Sequence, residues 1–254
     1  MDQGRAGGGD RPVAVVTGAA GSIGTRLLER FTEAGYAVVG LDLPDAGADD
    51  PRVVGCDITD ADAVAATFRA VVERHGRLDV LVNNAGISAI GRFTDHDVTV
   101  HRRVMEVDHL GAVACTQAAL PALVVTGGRV VVVGSVTGFA PVVGRPAYVA
   151  AKHAVTGLFE ALRPELARDG VGVTLVHPTF VTTGMGEAAD RAPGTGRSTS
   201  GAPVTPDDVA QAVVDAVRRG RDRVLVGRTA RLAWHLHRLA PRAYTRMMVR
   251  RLSG

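Results

Sequence analysis

The chain has 254 residues, 46% of them hydrophobic, a size and composition suited to one α/β domain on a single large sheet. Its two cysteines, Cys56 and Cys115, lie far apart without metal-ligand spacing, which argues against a disulfide framework or metal site and for reduced thiols in a cytoplasmic protein. The net charge of +3 is uneven: residues 218–254 hold 11 Arg against the single acid Asp222, a local +10 that leaves −7 elsewhere, so the high pI gives no ground for a nucleic-acid-binding domain.

Residues 1–12 are Gly-rich and polar without an apolar h-region, which predicts a disordered tail, not a secretory signal. No run approaches the roughly 18 consecutive apolar residues expected of a spanning helix. Strands are expected at Val13–Thr17, Ala37–Asp42, Arg52–Cys56, Val80–Asn83, Arg129–Ser135, Val171–His177 and Arg223–Val226, all as continuous β-branched runs. Helical patterns alternate with them: Ile23–Ala34, Asp62–His75, Asp97–Leu120, Tyr148–Arg168 and Pro206–Arg218. That alternation predicts a doubly wound, Rossmann-type, mostly parallel sheet of about seven strands with helices on both faces. One domain is expected over 13–227. Within it, the Gly-, Ser-, Thr- and Pro-rich stretch 184–203 is too long for a plain connector and is taken as a substrate loop.

The first strand runs into Thr17-Gly18-Ala19-Ala20-Gly21-Ser22-Ile23-Gly24, which opens a helix. Glycines there permit a tight turn and bring backbone N–H groups to a pyrophosphate at the helix N-terminus. Gly18, Ser22, Ile23 and Gly24 are the candidate cofactor contacts of this turn. Asp42 ends the second strand, where a carboxylate accepts from the adenosine ribose and repels a 2′-phosphate, favouring NAD over NADP. Asp57 and Asn83 end the third and fourth strands on the crevice side. Asp57 is read as an adenine contact, since Thr59 and Asp60 can cap the next helix.

Tyr148 and Lys152 stand at i and i+4 on one helical face, with Ser135 upstream. At these residues, together with Asn83-Asn84-Ala85-Gly86 and the Thr-Gly turn, the sequence resembles the short-chain dehydrogenase/reductase family, in its single-domain branch. The resemblance covers Val13 to Val226. It implies that Tyr148 exchanges a proton with the substrate oxygen, Ser135 hydrogen-bonds that oxygen, and Lys152 contacts the nicotinamide ribose while favouring the phenolate. Hydride would pass between the substrate carbon and nicotinamide C4. Ile58 would flank the adenine, and Val181 and Thr183 would hold the carboxamide. A cation at ~4 Å and an effective dielectric of ~20 favours the phenolate by roughly 4 kcal/mol before desolvation.

Lys152 is the sole lysine among 29 fixed basic residues, a placement that chance would produce once in 29. An ammonium at this position is not replaceable by a guanidinium. Three positions depart from the family pattern: Gly21-Ser22 is in swapped order, Asp108 stands for the Asn that holds a kink and a relay water, and Thr179 follows Pro178 where Gly is usual. Asp108 is retained as a catalytic candidate able to accept from that water.

Past Val226, residues 228–254 are expected as a basic helical tail split by Pro241. It is read as a cover over the pocket or a subunit contact, with a peripheral contact to anionic lipid as the alternative. His177 is expected to be packed. The sequence thus predicts an NAD(H)-dependent dehydrogenase or reductase of a small, lipophilic alcohol or ketone, working as a homodimer or homotetramer. A regulatory or scaffold protein that binds NAD is the alternative. A sugar-nucleotide epimerase or dehydratase is disfavoured by length.

Overall fold

The computed structural model describes residues 11–47, 49–182, 190–191 and 202–250. Seven strands form one parallel sheet: β1 (Val13–Thr17), β2 (Ala37–Asp42), β3 (Val53–Gly55), β4 (Val80–Asn83), β5 (Arg129–Val133), β6 (Gly172–Pro178) and β7 (Arg223–Val226). Their spatial order is β3-β2-β1-β4-β5-β6-β7, the doubly wound architecture that the strand–helix alternation predicts. The winding reverses between β1 and β4. Both strands therefore end at a crevice that no crossover covers, and the glycine turn opens there.

Alternate strand residues divide two cores. Val13, Val15, Leu81, Val130, Val132 and Leu175 pack against α2 (Ala61–His75), α4 (Gly111–Thr126) and α5 (Pro146–Ala167) through Phe68, Cys115, Leu123 and Phe159. On the other face, Ala14, Val16, Val80, Val82 and Val131 meet α1 (Ser22–Glu33) and α6 (Pro206–Arg218) through Leu28, Phe31, Val209 and Val213. Small β-branched side chains fill both layers, as the scarcity of aromatics requires.

One expected helix is two. The pattern at Asp97–Leu120 divides into α3 (Val98–Met105) and α4, joined by a single wide π turn at Glu106–Leu110 in which the Gly111 N–H reaches back to the Glu106 carbonyl. Such bulges concentrate at functional sites, and this one carries Asp108. The combined stretch Val98–Thr126 has the length and hydropathy of a membrane span. Its Cys115, Ala119 and Leu123, however, are buried against the sheet.

Thr179 resolves one departure. Among the described residues only glycines have positive φ, so Thr179 continues from β6 in ordinary backbone. Space for it comes from Gly227 (φ +95°), where a Cβ would lie 2.7 Å from the Thr179 Oγ1. After Gly227 the chain forms α7 (Arg228–Leu239) and α8 (Pro241–Arg250), separated at Pro241 as expected. Their inner faces bury Tyr244 and Met248 against Phe139 and Ala140, and the Tyr244 hydroxyl donates to the Pro141 carbonyl at 3.0 Å. The tail is therefore folded onto the segment that follows Ser135.

Candidate active site

The glycine turn is built for close approach. Gly18 (φ +65°) lies against Ala85, where a Cβ would come within 2.8 Å of the Ala85 Cα, and a Cβ on Gly24 would be 2.0 Å from the Gly18 carbonyl. Gly21, by contrast, is extended, and a Cβ there would meet nothing nearer than 3.4 Å. The swapped Gly21-Ser22 order therefore leaves the turn intact, with Ser22 exposed as the first residue of α1 and Ile23 half-buried behind it. No side chain caps α1, and its first turn holds no acid. Its free N–H groups and positive dipole end present an anion site to the crevice.

The end of β4 closes the other side. Asn84 Nδ2 donates to the Thr17 and Gly18 carbonyls (2.9 and 3.1 Å), and the Asn84 and Ala85 N–H groups both donate to Thr17 Oγ1 at 3.0 Å. Asn83 donates to Thr116 Oγ1 at 3.0 Å, while its buried Oδ1 has no partner among the described residues. Asp42 accepts from the Ala20 N–H and from its neighbour Leu43, both at 2.8 Å, which holds its carboxylate at the rim of the turn. Asp57 accepts from the Thr59 N–H and hydroxyl, and Asp60 caps α2, as expected. The Ile58 side chain is buried, with its Cδ1 only 2.5 Å from where a Gly111 Cβ would be, so chiefly its backbone remains for an adenine beside Asp57. Val181 is half-buried and bridges to Val204. Thr183 and most of the 184–203 stretch lie outside the described residues. These free amides, the orphaned Asn83 carbonyl oxygen and the Asp42 carboxylate fit the pyrophosphate and ribose of a nicotinamide dinucleotide.

Beside this cradle, α5 brings Tyr148 and Lys152 onto its buried face, the ammonium 5.5 Å from the phenol ring centre. The π turn supplies the third member: Lys152 Nζ lies 3.0 Å from Asp108 Oδ2, with both side chains buried. Asp108 Oδ1 accepts from the Ile87 N–H at 2.7 Å. Gly86 roofs the pair, since a Cβ there would sit 3.1–3.2 Å from both carboxylate oxygens and the ammonium. A small, partly open recess of about 10 Å³, lined by Thr17, Asn83, Asp108 and Lys152, has room for about one water.

Electrostatics follow from burial. Desolvation pushes the Asp108 carboxyl above the usual carboxylate range, with Lys152 and the Ile87 N–H pulling the other way. Desolvation alone would lower Lys152. Asp108 and then Tyr148 outweigh it, and the ammonium is held above its ordinary value.

Ser135 follows β5 and is buried. Its Oγ accepts from the Thr137 N–H at 3.1 Å, starting a tight turn that packs on α5 at Gly138, where no Cβ would fit beside the Lys152 carbonyl. His177 holds the same residue from behind, with Nδ1 3.0 Å from the Ser135 carbonyl. A carbonyl only accepts, so Nδ1 carries the proton and Nε2 a lone pair. Burial drives this imidazole down to about 4, and it is neutral. Phe139 stacks edge-on against His177 (5.1 Å) and Trp234 of α7 (4.8 Å), linking the tail to the Ser135 turn. A larger groove of about 570 Å³, walled by Phe93, Pro141, Val143, Val149 and His153, lies on a neighbouring face of α5 and includes neither Ser135 nor Tyr148.

The structure thus gathers Asp108, Tyr148 and Lys152, as the sequence proposed, and adds Gly86, Ile87, Thr17 and His177. Gly86 and Thr17 lie inside the motifs already noted. His177 is packed, as expected, and its contact with Ser135 is what the structure adds; the Ile87 amide gave no local signal, because it acts through a single contact made across the fold.

A parallel sheet with an uncapped helix at its switch point and a buried Tyr–Lys pair beside it defines a nicotinamide-dependent oxidoreductase. Comparison with known proteins gives the family. A short chain dehydrogenase model matches residues 12–193. The chain is 34% identical to dehydrogenase/reductase SDR family member 7B of Xenopus laevis (93% of this chain, 80% of that protein). It is 33% identical to an SDR family protein 7-like dehydrogenase/reductase of Anopheles gambiae (94% and 82%). Among solved structures, it resembles a Burkholderia cenocepacia short chain dehydrogenase in complex with NADP (TM-score 0.80, 27% identity, 94% and 97% covered). It also resembles a Burkholderia phymatum short chain dehydrogenase/reductase in complex with NAD (TM-score 0.77, 25% identity, 91% and 95% covered). The chain belongs to the short-chain dehydrogenase/reductase family.

Proposed function

We propose that the protein is an NAD(H)-linked alcohol dehydrogenase or ketone reductase acting on a small, lipophilic substrate. The observation that carries this reading is the buried Tyr148–Lys152–Asp108 cluster beside the free N-terminus of α1. The α1 amides hold the pyrophosphate, Asp42 accepts from the adenosine ribose hydroxyls, and Lys152 donates to the nicotinamide ribose. A bound nicotinamide supplies or takes up the hydride. The chain's own residues manage the proton: Ser135 donates to the substrate oxygen and fixes its position, while Tyr148 gives or takes the proton at that oxygen. General acid–base transfer of this kind contributes about 10²–10⁴-fold. Asp108 fixes the Lys152 ammonium against the reacting side of α5.

NAD preference is supported by Asp42 at the rim, whose carboxylate repels a 2′-phosphate, and by the absence of Lys or Arg from residues 17–24 and 43–46. The apolar lining of Pro141, Val142 and Val143 in the groove beside α5 supports a lipophilic substrate. We further propose a homodimer or homotetramer, which light scattering on the purified chain measures directly, and a cytoplasmic location, which cell fractionation tests.

The test is a panel of ketones with NADH and alcohols with NAD, with NADPH and NADP as controls, run on the natural chain and Tyr148→Phe. Turnover with the non-phosphorylated cofactor is expected, and it should vanish in the variant while NADH binding persists. Full activity of Tyr148→Phe would remove Tyr148 from the mechanism. NADH binding without turnover of any panel member would replace this reading with that of a nucleotide-binding regulatory protein.

A further inference from the structure

We propose that the outward face of α7 and α8 docks the protein on the surface of an anionic lipid bilayer. This proposal does not depend on the reaction assigned above. The two helices are fixed in rotation because Ala230, Tyr244 and Met248 are buried and Trp234 lies against Phe139. The opposite stripe must therefore face solvent.

On α7 that stripe is Arg228, Arg231, Leu232, His235, Arg238 and Leu239, at i, i+3, i+4 and i+7 spacing, and all are exposed. Leu232 is 66% exposed and Leu239 82%. On α8 it continues through Arg242, Arg246, Val249 and Arg250, with Val249 54% exposed. No ion pair among the described residues involves Arg228, Arg231, Arg242, Arg246 or Arg250. Only one acid, Asp222, stands in residues 218–254, whereas the rest of the chain is net acidic.

Charge complementarity selects the occupant. A negative surface attracts this face and repels the remainder, so it both binds and orients the molecule. Leucines interleaved with arginines favour a bilayer over a nucleic acid. A phosphate backbone offers Leu232 and Leu239 nothing, while a headgroup layer takes up apolar side chains and pairs arginines with lipid phosphate. The two helices, 12 and 10 residues long and broken at Pro241, are too short to span a bilayer and suit its surface. The inner face of α7 rests on the turn after Ser135, so docking brings that wall of the candidate site next to the lipid.

The experiment is flotation of the full-length chain with vesicles of phosphatidylcholine alone or with 30% phosphatidylserine, at low and physiological salt. The natural chain is expected to bind the serine-containing vesicles at least tenfold more tightly, with weakening by salt. Arg231→Glu/Arg242→Glu/Arg246→Glu should abolish binding, since each juxtamembrane arginine is worth about fivefold. Leu232→Ser/Leu239→Ser should weaken binding several-fold at unchanged thermal stability. Failure of the natural chain to float with anionic vesicles would overturn the proposal, as would binding unaffected by the leucine changes. Tighter binding to a DNA duplex than to the vesicles would instead assign the face to nucleic acid. A fall in oligomer mass on Leu232→Ser/Leu239→Ser would make it a contact between copies.

Discussion

Asp108→Leu tests the electrostatic account of the site. The substitution keeps roughly the same volume but leaves the Lys152 ammonium buried without its counter-charge. At 3.0 Å and an effective dielectric of ~20, the gross attraction lost is about 5 kcal/mol. Removing one partner of a buried pair costs about 3–5 kcal/mol in practice. For a chain of this size, that lowers Tm by roughly 6–20 °C. Asp108→Asn keeps an acceptor for the Ile87 N–H and for Lys152, and should lose less than half as much. The double variant Asp108→Leu/Lys152→Met removes both charges and should be more stable than Asp108→Leu alone. The pH dependence has a definite sign. With Asp108 present, Lys152 is held above its ordinary value, so its stabilisation is complete at neutral pH and disappears only as pH rises through that raised value. With Leu, desolvation is opposed only by Tyr148, so the loss of stability at high pH should shrink. Urea unfolding of the natural chain and the three variants from pH 6 to about pH 11.5 measures all of this. A cost below ~1 kcal/mol for Asp108→Leu, or no coupling in the double-variant cycle, would refute the buried pair as an electrostatic unit.

Three further outcomes follow from particular contacts. His177 is held near 4 by burial, so the unfolded chain binds a proton there before the folded one does. Stability should fall by about 3 kcal/mol as pH drops from ~6.5 through ~4, and His177→Phe should flatten that segment of the pH–stability curve. Gly227→Ala combines a φ near +95° with a 2.7 Å approach to Thr179 Oγ1 and should cost about 2–3 kcal/mol by urea titration. Adding Thr179→Gly should restore only part, because it relieves the contact and not the backbone. Asp42→Asn removes the like charge facing a 2′-phosphate and should raise the NADPH-to-NADH ratio of kcat/KM by about tenfold, equivalent to ~1.4 kcal/mol. An unchanged ratio would mean that Asp42 does not face the adenosine ribose.

Much of this architecture was legible because the central strands are buried on both faces and so write continuous apolar runs, while the edge strands β3 and β7 are only partly covered. Val13–Thr17, Ala37–Asp42, Val80–Asn83 and Arg223–Val226 match their runs end to end. The glycine turn was legible because Gly18 and Gly24 are sterically required, whereas Gly21 is not, which explains why its exchange with Ser22 is harmless. The π turn was not legible: inserting one residue into a helix changes hydrogen bonding without changing composition. α4 also continues past Pro121 to Thr126, where a proline suggests an end. The direct Asp108–Lys152 contact, the Gly86 roof and the His177 support join residues far apart in the chain. Such pairings follow from topology, which a single sequence reveals only through its motifs.

The rarity of lysine has a practical corollary. Apart from the chain's α-amino group, Lys152 carries the sole primary amine, and that amine is buried under Gly86. An acylating reagent selective for amines can reach it only when the crevice between the glycine turn and α5 opens. Its rate of modification, read on the peptide that carries Lys152, would then be a clock for the breathing of that one crevice, free of background from any other lysine.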